Sequence, residues 1–294
     1  MKPITLRSLT LLLFVVCQSV YGQFTPVEQI TYFTSRVQMP IKIDVEQNKN
    51  EFIFYGTNNS FLPYRVEIEF KQLLNLEPAM NSHKAVLQPG RTRLFALRIR
   101  QENSASNFRY DFRYRMGNPS ETPDLEFPYL VPLAKNKKVS VNSVTSIATI
   151  APVLFNIAAG DTIFAMRKGR VTAAPESSSG TDRLTKASLE VYHADGSLAS
   201  YYALDLRGLV KEGTMVYPGQ PIGIVEAESV LRVLVFKFTE NEQVRPISVK
   251  YVADGSSLIP AGNIDQIVSI RPAEVITKEL TRSEIKKFQK DILY

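Results

Sequence analysis

Aromatic and charged side chains alternate along FRYDFRYR, the segment from Phe108 to Arg115. Successive side chains of a β-strand point to opposite faces of its sheet, so this period of two predicts a strand with one aromatic and one charged face. We interpret the aromatic face as part of a buried core and the charged face, with its arginines, as a solvated surface. The segment therefore predicts that the chain is built from β-sheets.

The same alternation extends outward from this segment. Val66, Ile68 and Phe70 alternate with charged residues in Arg65–Glu69. Further strands are predicted at Ile41–Val45, Phe52–Tyr55, Ala85–Leu87 and Leu94–Ile99, with turns at Asn58-Asn59-Ser60, Pro89-Gly90 and Gly117-Asn118-Pro119. About seven short strands in roughly a hundred residues are typical of an antiparallel, immunoglobulin-like β-sandwich.

The first 22 residues have the pattern of an export signal. Lys2 and Arg7 form a basic start, Leu9–Cys17 is an apolar run, and Val20 and Gly22 occupy the −3 and −1 positions of a cleavage site before Gln23. The apolar run is short for a membrane span, so the sequence predicts no transmembrane segment in the mature chain. We expect export to the periplasm or to the outer envelope and extracellular space. A lipoprotein acylated at Cys17 is the weaker alternative, because Val16 is bulky for that signal.

Composition narrows the classes of protein that need to be considered. The chain has 294 residues, enough for two modest domains, with 44% apolar and 22% charged residues and a net charge of +6. Cys17 is the one cysteine, and cleavage of the signal removes it, so the mature protein has no internal disulfide and no Cys/His catalytic pair. We find no long basic run and no aromatic-rich RNA-binding motif, and we expect no nucleic-acid partner.

Four segments in the second half follow one another in a recognisable order. They are GDTIFAMRKGRV at 160–171, HADGS followed by YYAL at 193–204, GTMVYPGQPIG at 213–223 and VLVFKF at 233–238. Together they resemble the lysostaphin-type (LytM-like) zinc peptidases, whose corresponding motifs are GTPVYA…GxV, HxDGT…YxHL, GxxVxxGxxIG and HLHFEV. The resemblance covers roughly residues 139–238.

The resemblance implies a zinc ion held by two His and one Asp, with further His side chains that activate water. This sequence lacks those residues. Residues 139–160 contain neither His nor Asp, and Asn156 stands where the Asp is expected. Ala203 replaces the catalytic His, and Val233 and Val235 replace the His-x-His pair. We therefore predict a pseudo-metallopeptidase that binds no metal or cofactor and is not an enzyme.

The expected fold is mainly β. Residues 1–22 are the signal peptide, 23–136 an immunoglobulin-like sandwich, 137–250 a degenerate LytM-like (duplicated hybrid motif) β-sheet domain and 251–294 an extension. The basic segment Lys135–Lys138 is interpreted as the linker between the two domains. A capping box at Thr281–Glu284 predicts a helix near 281–292, with Ile285, Phe288 and Ile292 on one face.

Function is expected to reside in a groove retained from the peptidase fold. Its predicted floor holds Ala203, Val233 and Val235, with Tyr201 and Arg232 near the rim, although these valines equally fit a completed core. Asp195 is interpreted as a turn residue, and His83 and His193 as structural or solvated. The resemblance implies a noncatalytic envelope protein that binds a protein or peptide partner, such as a cell-wall hydrolase, or peptidoglycan. A structural or secretion-machinery interaction module is the alternative, and an active zinc endopeptidase is the least favoured.

Overall fold

The computed structural model describes residues 40–143, 152–174, 188–203, 206–227, 229–239, 243–253 and 257–291. The predicted signal peptide lies outside these ranges. The described chain is mainly β, with several antiparallel sheets and a short helix near the C-terminal end, as the alternation predicted.

The first half folds into two facing sheets. One sheet has the order β1-β2-β6-β4 and the other the order β5-β3-β7. Their strands are β1 Ile41–Asn48, β2 Glu51–Asn58, β3 Tyr64–Leu74, β4 Leu76–Glu77, β5 Ser82–Leu87, β6 Gly90–Ile99 and β7 Asn107–Met116. The order β1-β2-β6 in one sheet, opposite β3-β7 in the other, is the A-B-E against C-F arrangement of immunoglobulin-like sandwiches.

Phe54 on β2 is the centre of the core between these sheets. It is fully buried, stacks on Phe95 at 4.5 Å and meets the rings of Phe70, Phe108 and Tyr110 from the opposite sheet at 5.3–5.8 Å. The aromatic face of β7 thus contributes to the core, as predicted for Phe108 and Tyr110. The prediction is wrong for the other half of the stripe, because Phe112 and Tyr114 are 39% and 38% exposed on an edge strand that pairs only with β3 within the described chain.

The second half is dominated by one large sheet. Its order is β16-β12-β13-β14-β18-β10-β9-β22, and β19 pairs with the end of β18. The strands are β9 Lys138–Ser143, β10 Val153–Ile157, β12 Gly169–Ala173, β13 Ser188–Tyr192, β14 Leu198–Tyr202, β16 Met215–Val216, β18 Ser229–Phe238, β19 Val244–Pro246 and β22 Gln266–Val268.

Two smaller sheets complete the second core. They have the orders β11-β17-β15 and β21-β20-β8. Their strands are β8 Pro128–Tyr129, β11 Thr162–Phe164, β15 Leu206–Gly208, β17 Pro221–Val225, β20 Lys250–Val252 and β21 Leu258–Pro260. Because β8 pairs with β20, two segments that are far apart in sequence share this core.

The predicted linker Lys135–Lys138 lies inside this second unit. Phe127, Tyr129, Val131 and Leu133 before it are already buried in the second core, and β9 begins at Lys138. The backbone is also fixed here, because the Asn136 N–H donates to the Ser269 carbonyl and the Ser269 N–H donates to the Lys137 carbonyl. Lys135 and Lys138 are exposed and Lys137 pairs with Asp161, so basic side chains project from an ordered backbone, which composition alone does not distinguish from a linker.

Two helices lie near the C-terminal end, α1 at Ala273–Thr277 and α2 at Arg282–Asp291, after a 3₁₀ turn at Ala261–Asn263. The capping box is confirmed, since the Thr281 N–H donates to the Glu284 carboxylate at 2.7 Å and the Glu284 N–H donates to the Thr281 hydroxyl at 3.3 Å. Phe288 packs against a small cluster with Leu130, Val275 and Ile276. No helix in the described ranges is long and apolar enough to cross a membrane.

Arg167 fastens this helical segment to the large sheet. Its side chain is 3% exposed, and its guanidinium donates to Glu279 at 2.6–3.1 Å and to Asp195 at 2.7 Å while lying 3.7 Å from the centre of the Phe127 ring. Burial acts to lower the pKa of Arg167, but Glu279, Tyr129 and Asp195 raise it above its ordinary value. The charge is therefore retained because the site supplies two carboxylates.

We expect Glu279→Gln to lower the free energy of unfolding by about 1–3 kcal/mol, because it removes one of two charges that offset a buried guanidinium. Urea unfolding at pH 7 would measure this loss. Glu226→Gln is the matched control, since the Glu226–Arg207 pair is half-exposed and its loss should change stability by less than about 0.5 kcal/mol. Equal effects of the two substitutions would contradict an anchoring role for Arg167.

Candidate functional site

The four segments that resemble the peptidase family meet on the large sheet and the small sheet beside it. The 160–171 segment forms β11 and β12, the 213–223 segment forms β16 and part of β17, and Val233–Phe238 forms the end of β18. Strand β18 lies between β14 and β10, with Val233 opposite both Tyr201 and Val153. Val233 is therefore adjacent to the strand that ends before Ala203, whereas Asn156 lies farther along β10, opposite Val230.

These positions are buried in the core instead of lining a groove. Tyr201 and Ala203 are 0% exposed, and Val233 and Val235 are 1% exposed. The hydroxyl of Tyr201 is used internally, because it accepts a hydrogen bond from the Met166 backbone N–H at 3.0 Å. The prediction that these residues form an open floor is wrong, and the competing interpretation, that the valines complete the core, is confirmed.

The outer face of the same strands carries a different set of side chains. Leu154 lies opposite Arg232, and Arg232 lies opposite Tyr202, so the three form one row across β10, β18 and β14. Arg232 and Asn156 are exposed, while Leu154 and Tyr202 are half-buried. The guanidinium of Arg232 lies 5.4 Å from the centre of the Tyr202 ring. We call Leu154, Asn156, Tyr202 and Arg232 the outer-face row.

Alternation explains why part of the prediction failed. Arg232 and Val233 are neighbours in one strand, so their side chains point to opposite faces and cannot line the same groove. Arg232 is exposed, but it lies on the opposite face from the predicted floor, and the aromatic residue beside it is Tyr202 and not Tyr201. Applying the period of two to YYAL and RVLVF would have found Tyr202 in the sequence.

We expect Val233→Glu to prevent stable folding or to cost more than about 4 kcal/mol, because it places an unpaired carboxylate in an apolar core. Arg232→Glu, one residue away on the outer face, should leave the free energy of unfolding within about 1 kcal/mol of wild type. Denaturant unfolding followed by circular dichroism would compare the two. A well-folded Val233→Glu protein would restore the open-groove interpretation.

The turn between β13 and β14 is built around Asp195. Its carboxylate accepts hydrogen bonds from the backbone N–H and the hydroxyl of Ser197, at 3.1 and 2.6 Å, and Gly196 takes a φ of +82°. A positive φ favours glycine, which explains the Asp-Gly pair in this hairpin. Asp195 is a turn residue as predicted, and it is in addition one of the two carboxylates that hold Arg167.

His193 begins this turn and is fully buried. Its Nδ1 lies 2.8 Å from the Lys168 carbonyl oxygen, which can only accept, so Nδ1 carries the hydrogen and Nε2 holds the lone pair. Nε2 is buried without a hydrogen-bond partner among the described residues. Burial and then the nearby Arg167 lower the pKa of His193 to about 4. His193 is thus a neutral structural residue at pH 7.

This histidine should make folding sensitive to acid. Its pKa is about 4 in the folded state and near 6.5 when unfolded, so the unfolded state binds more protons as the pH falls below 6.5. We expect the free energy of unfolding to fall by about 2 kcal/mol between pH 7 and pH 5. The full loss is about 3 kcal/mol, reached at a pH low enough to protonate His193 in both states. Urea unfolding of His193→Asn, which keeps an N–H donor near Nδ1, should show most of this loss removed.

His83→Asn is the control for that experiment, because the chain has two histidines and His83 is only half-buried beside Phe95. Burial lowers the pKa of His83 as well, so it contributes in the same direction, but its partial exposure makes the contribution smaller. If removing His83 flattened the pH dependence more than removing His193, the assignment would be wrong.

The residues at the expected zinc position do not fit a zinc ion. Valine and alanine offer no lone pair, and Asn156 points to the other face of the sheet from Val233, where it is exposed. In the described ranges, no three His, Cys, Asp or Glu residues are grouped closely enough to hold a metal ion. No metal-dependent step can be derived from this arrangement.

Comparison with known proteins adds little to the geometry. No protein-family model matches the chain, and no curated protein matches it. Among solved structures, the chain is similar to Helicobacter pylori Csd3, with 14% sequence identity and a TM-score of 0.30, over 86% of this chain and 77% of that one. An identity and a TM-score this low assign neither a family nor an activity.

Proposed function

We propose that the chain is an exported, noncatalytic envelope protein that binds a protein or peptide partner through the outer-face row and thereby regulates or scaffolds cell-wall enzymes. The observation that carries the proposal is the burial of Val233 and Val235, at the positions where the resemblance implies His-x-His. Two apolar side chains packed into a core leave no place for a metal and its water on that face.

The chemistry of the outer-face row supports a protein or peptide ligand. An aliphatic, an aromatic and a basic side chain lie side by side as Leu154, Tyr202 and Arg232. Tyr and Arg are enriched at the energetically important centres of protein interfaces, because each combines a large contact area with hydrogen bonding. A bare glycan strand offers less apolar surface for Leu154 and Tyr202 to cover, so peptidoglycan is the second choice as ligand.

A purely structural role in the envelope or in secretion machinery is the competing function. It is favoured by the contact of the sandwich with the large sheet, where Phe236 and Phe238 of β18 are buried in the first core together with Phe54 and Leu198. Two β units joined in this way could serve as a rigid interaction module without any link to cell-wall enzymes.

One series of experiments separates these functions. Purified wild type should carry far less than one zinc per chain by elemental analysis and should release no fragments from isolated sacculi, with or without added zinc. In native pull-downs from envelope extract, wild type should recover a peptidoglycan hydrolase, and Arg232→Glu should reduce that recovery about tenfold by reversing the charge at the centre of the row. Lys211→Glu, an exposed charge reversal away from the row, is the control.

Each outcome assigns a function. Chelator-sensitive hydrolysis with one bound zinc would establish the active peptidase and refute the proposal. Recovery of secretion or structural proteins without any hydrolase would favour the competing function. Sedimentation with sacculi that Arg232→Glu abolishes, without recovery of a protein, would identify peptidoglycan as the ligand.

A further inference from the structure

A cavity of about 500 Å³ is lined by α1, α2 and the turn Tyr217–Gln220, and no residue of the outer-face row lines it. This volume is within the range of small-molecule sites in proteins, about 300–1,000 Å³. The resemblance to zinc peptidases assigned no role to this region, and neither does the proposed function, so the cavity is considered independently of both.

One wall of the cavity is apolar. Ile276 from α1, Leu280 from the connection between the helices and Phe288 from α2 line it. Ile276 and Phe288 belong to the cluster that fastens the helices to the sheet, so this wall is fixed by packing. A ligand with an apolar body would remove the remaining surface of these side chains from water.

The rest of the lining is cationic. Lys135, Arg271 and Lys287 line the cavity, and Lys135 and Lys287 are exposed at its rim. Glu284 is the carboxylate in the lining, and it is already engaged by Lys168 at 2.8 Å, by the Thr281 N–H at 2.7 Å and by the Tyr217 hydroxyl at 3.1 Å. The positive charges at the cavity therefore exceed what Glu284 can offset.

Arg271 is the most constrained of the three cations. Its Nη1 and Nη2 donate to the carbonyl oxygens of Gly219 and Leu133 at 2.6 and 2.8 Å, which orient the guanidinium but carry no negative charge. Its Nε is buried and has no hydrogen-bond acceptor within the described part of the chain. Gly219 permits this approach, because a Cβ there would collide with Nη1. The guanidinium is thus held in place, 4.3 Å from the centre of the Phe164 ring, by partners that do not neutralise its charge.

We propose that this cavity binds an organic carboxylate with an apolar body, either a free acid or the C-terminal carboxylate of a peptide. The carboxylate would lie among Arg271, Lys135 and Lys287, and the apolar group would lie against Leu280 and Phe288. Carboxylates are the natural counter-ion for a fixed guanidinium, because charge-assisted N–H···O bonds are both directional and strong. The apolar wall distinguishes such a ligand from inorganic anions.

The test is isothermal titration calorimetry of the full mature chain with N-acetyl-L-leucine as the probe. Two compounds serve as controls. N-acetyl-L-leucinamide has the same apolar group without the negative charge, and inorganic phosphate has negative charge without the apolar group. We expect binding of N-acetyl-L-leucine to be about tenfold tighter than that of either control. Acetyl-Ala-Ala-Leu with a free carboxylate, with its amide as the control, distinguishes a free acid from a peptide C-terminus. Tighter binding of this tripeptide acid than of N-acetyl-L-leucine assigns a peptide C-terminus as the ligand.

Variants on α2 provide a matched comparison. The double variant Lys135→Gln/Lys287→Gln should weaken N-acetyl-L-leucine binding about tenfold, whereas Lys286→Gln, an exposed neighbour outside the lining, should change it less than about twofold. Thermal melts should show all variants folded, since these lysines are exposed. Absence of binding to wild type, equal binding of the amide or of phosphate, or an equal effect of Lys286→Gln would each overturn the proposal.

Discussion

Strand β18 is the element on which the rest of the structure depends, because its C-terminal part contributes side chains to both cores. Leu231, Val233 and Val235 point into the second core, and Phe236 and Phe238 belong to the first. A strand covered on both sides loses the usual alternation of apolar and polar residues, which is why VLVFKF is an almost continuous apolar run. Each of these side chains contributes about 1.5–3 kcal/mol by burial, so the strand joins the two halves of the described chain.

This double burial restricts where a ligand can be bound on the large sheet. The face at Val233 is core, and the end of the opposite face at Phe236 is covered by the sandwich. What remains accessible is the part of the outer face near Arg232, where β18 lies between β10 and β14. Because valine fills the inner face, recognition on this sheet has to use its exposed surface.

The sequence predicted the local structure well and the long-range packing less well. The period of two located the strands, and the Thr281–Glu284 pattern located the helix start, because both depend on neighbouring residues. The prediction of an open groove at Val233 and Val235 was wrong, because a family motif aligns residues but does not say which face of the sheet is buried. The polar, basic composition of Lys135–Lys138 predicts a linker, but its backbone pairs with Ser269, more than a hundred residues away. Nothing local in the sequence predicts that contact.

The ion pairs of Arg167 also join residues that are far apart in sequence, and their main effect is to position the helical segment near the C-terminal end. A buried ion pair contributes little net stability once desolvation is subtracted, but it is costly to rearrange. Arg167 joins Asp195 in a hairpin turn to Glu279 just before α2, and Lys168 beside it pairs with Glu284 at the start of that helix. Two adjacent cations, Arg167 and Lys168, therefore hold the segment from Glu279 to Glu284 against the hairpin turn and the large sheet. Because Leu280 and Glu284 of this segment also line the cavity, the same ion pairs help to preorganise the site that we propose for a carboxylate.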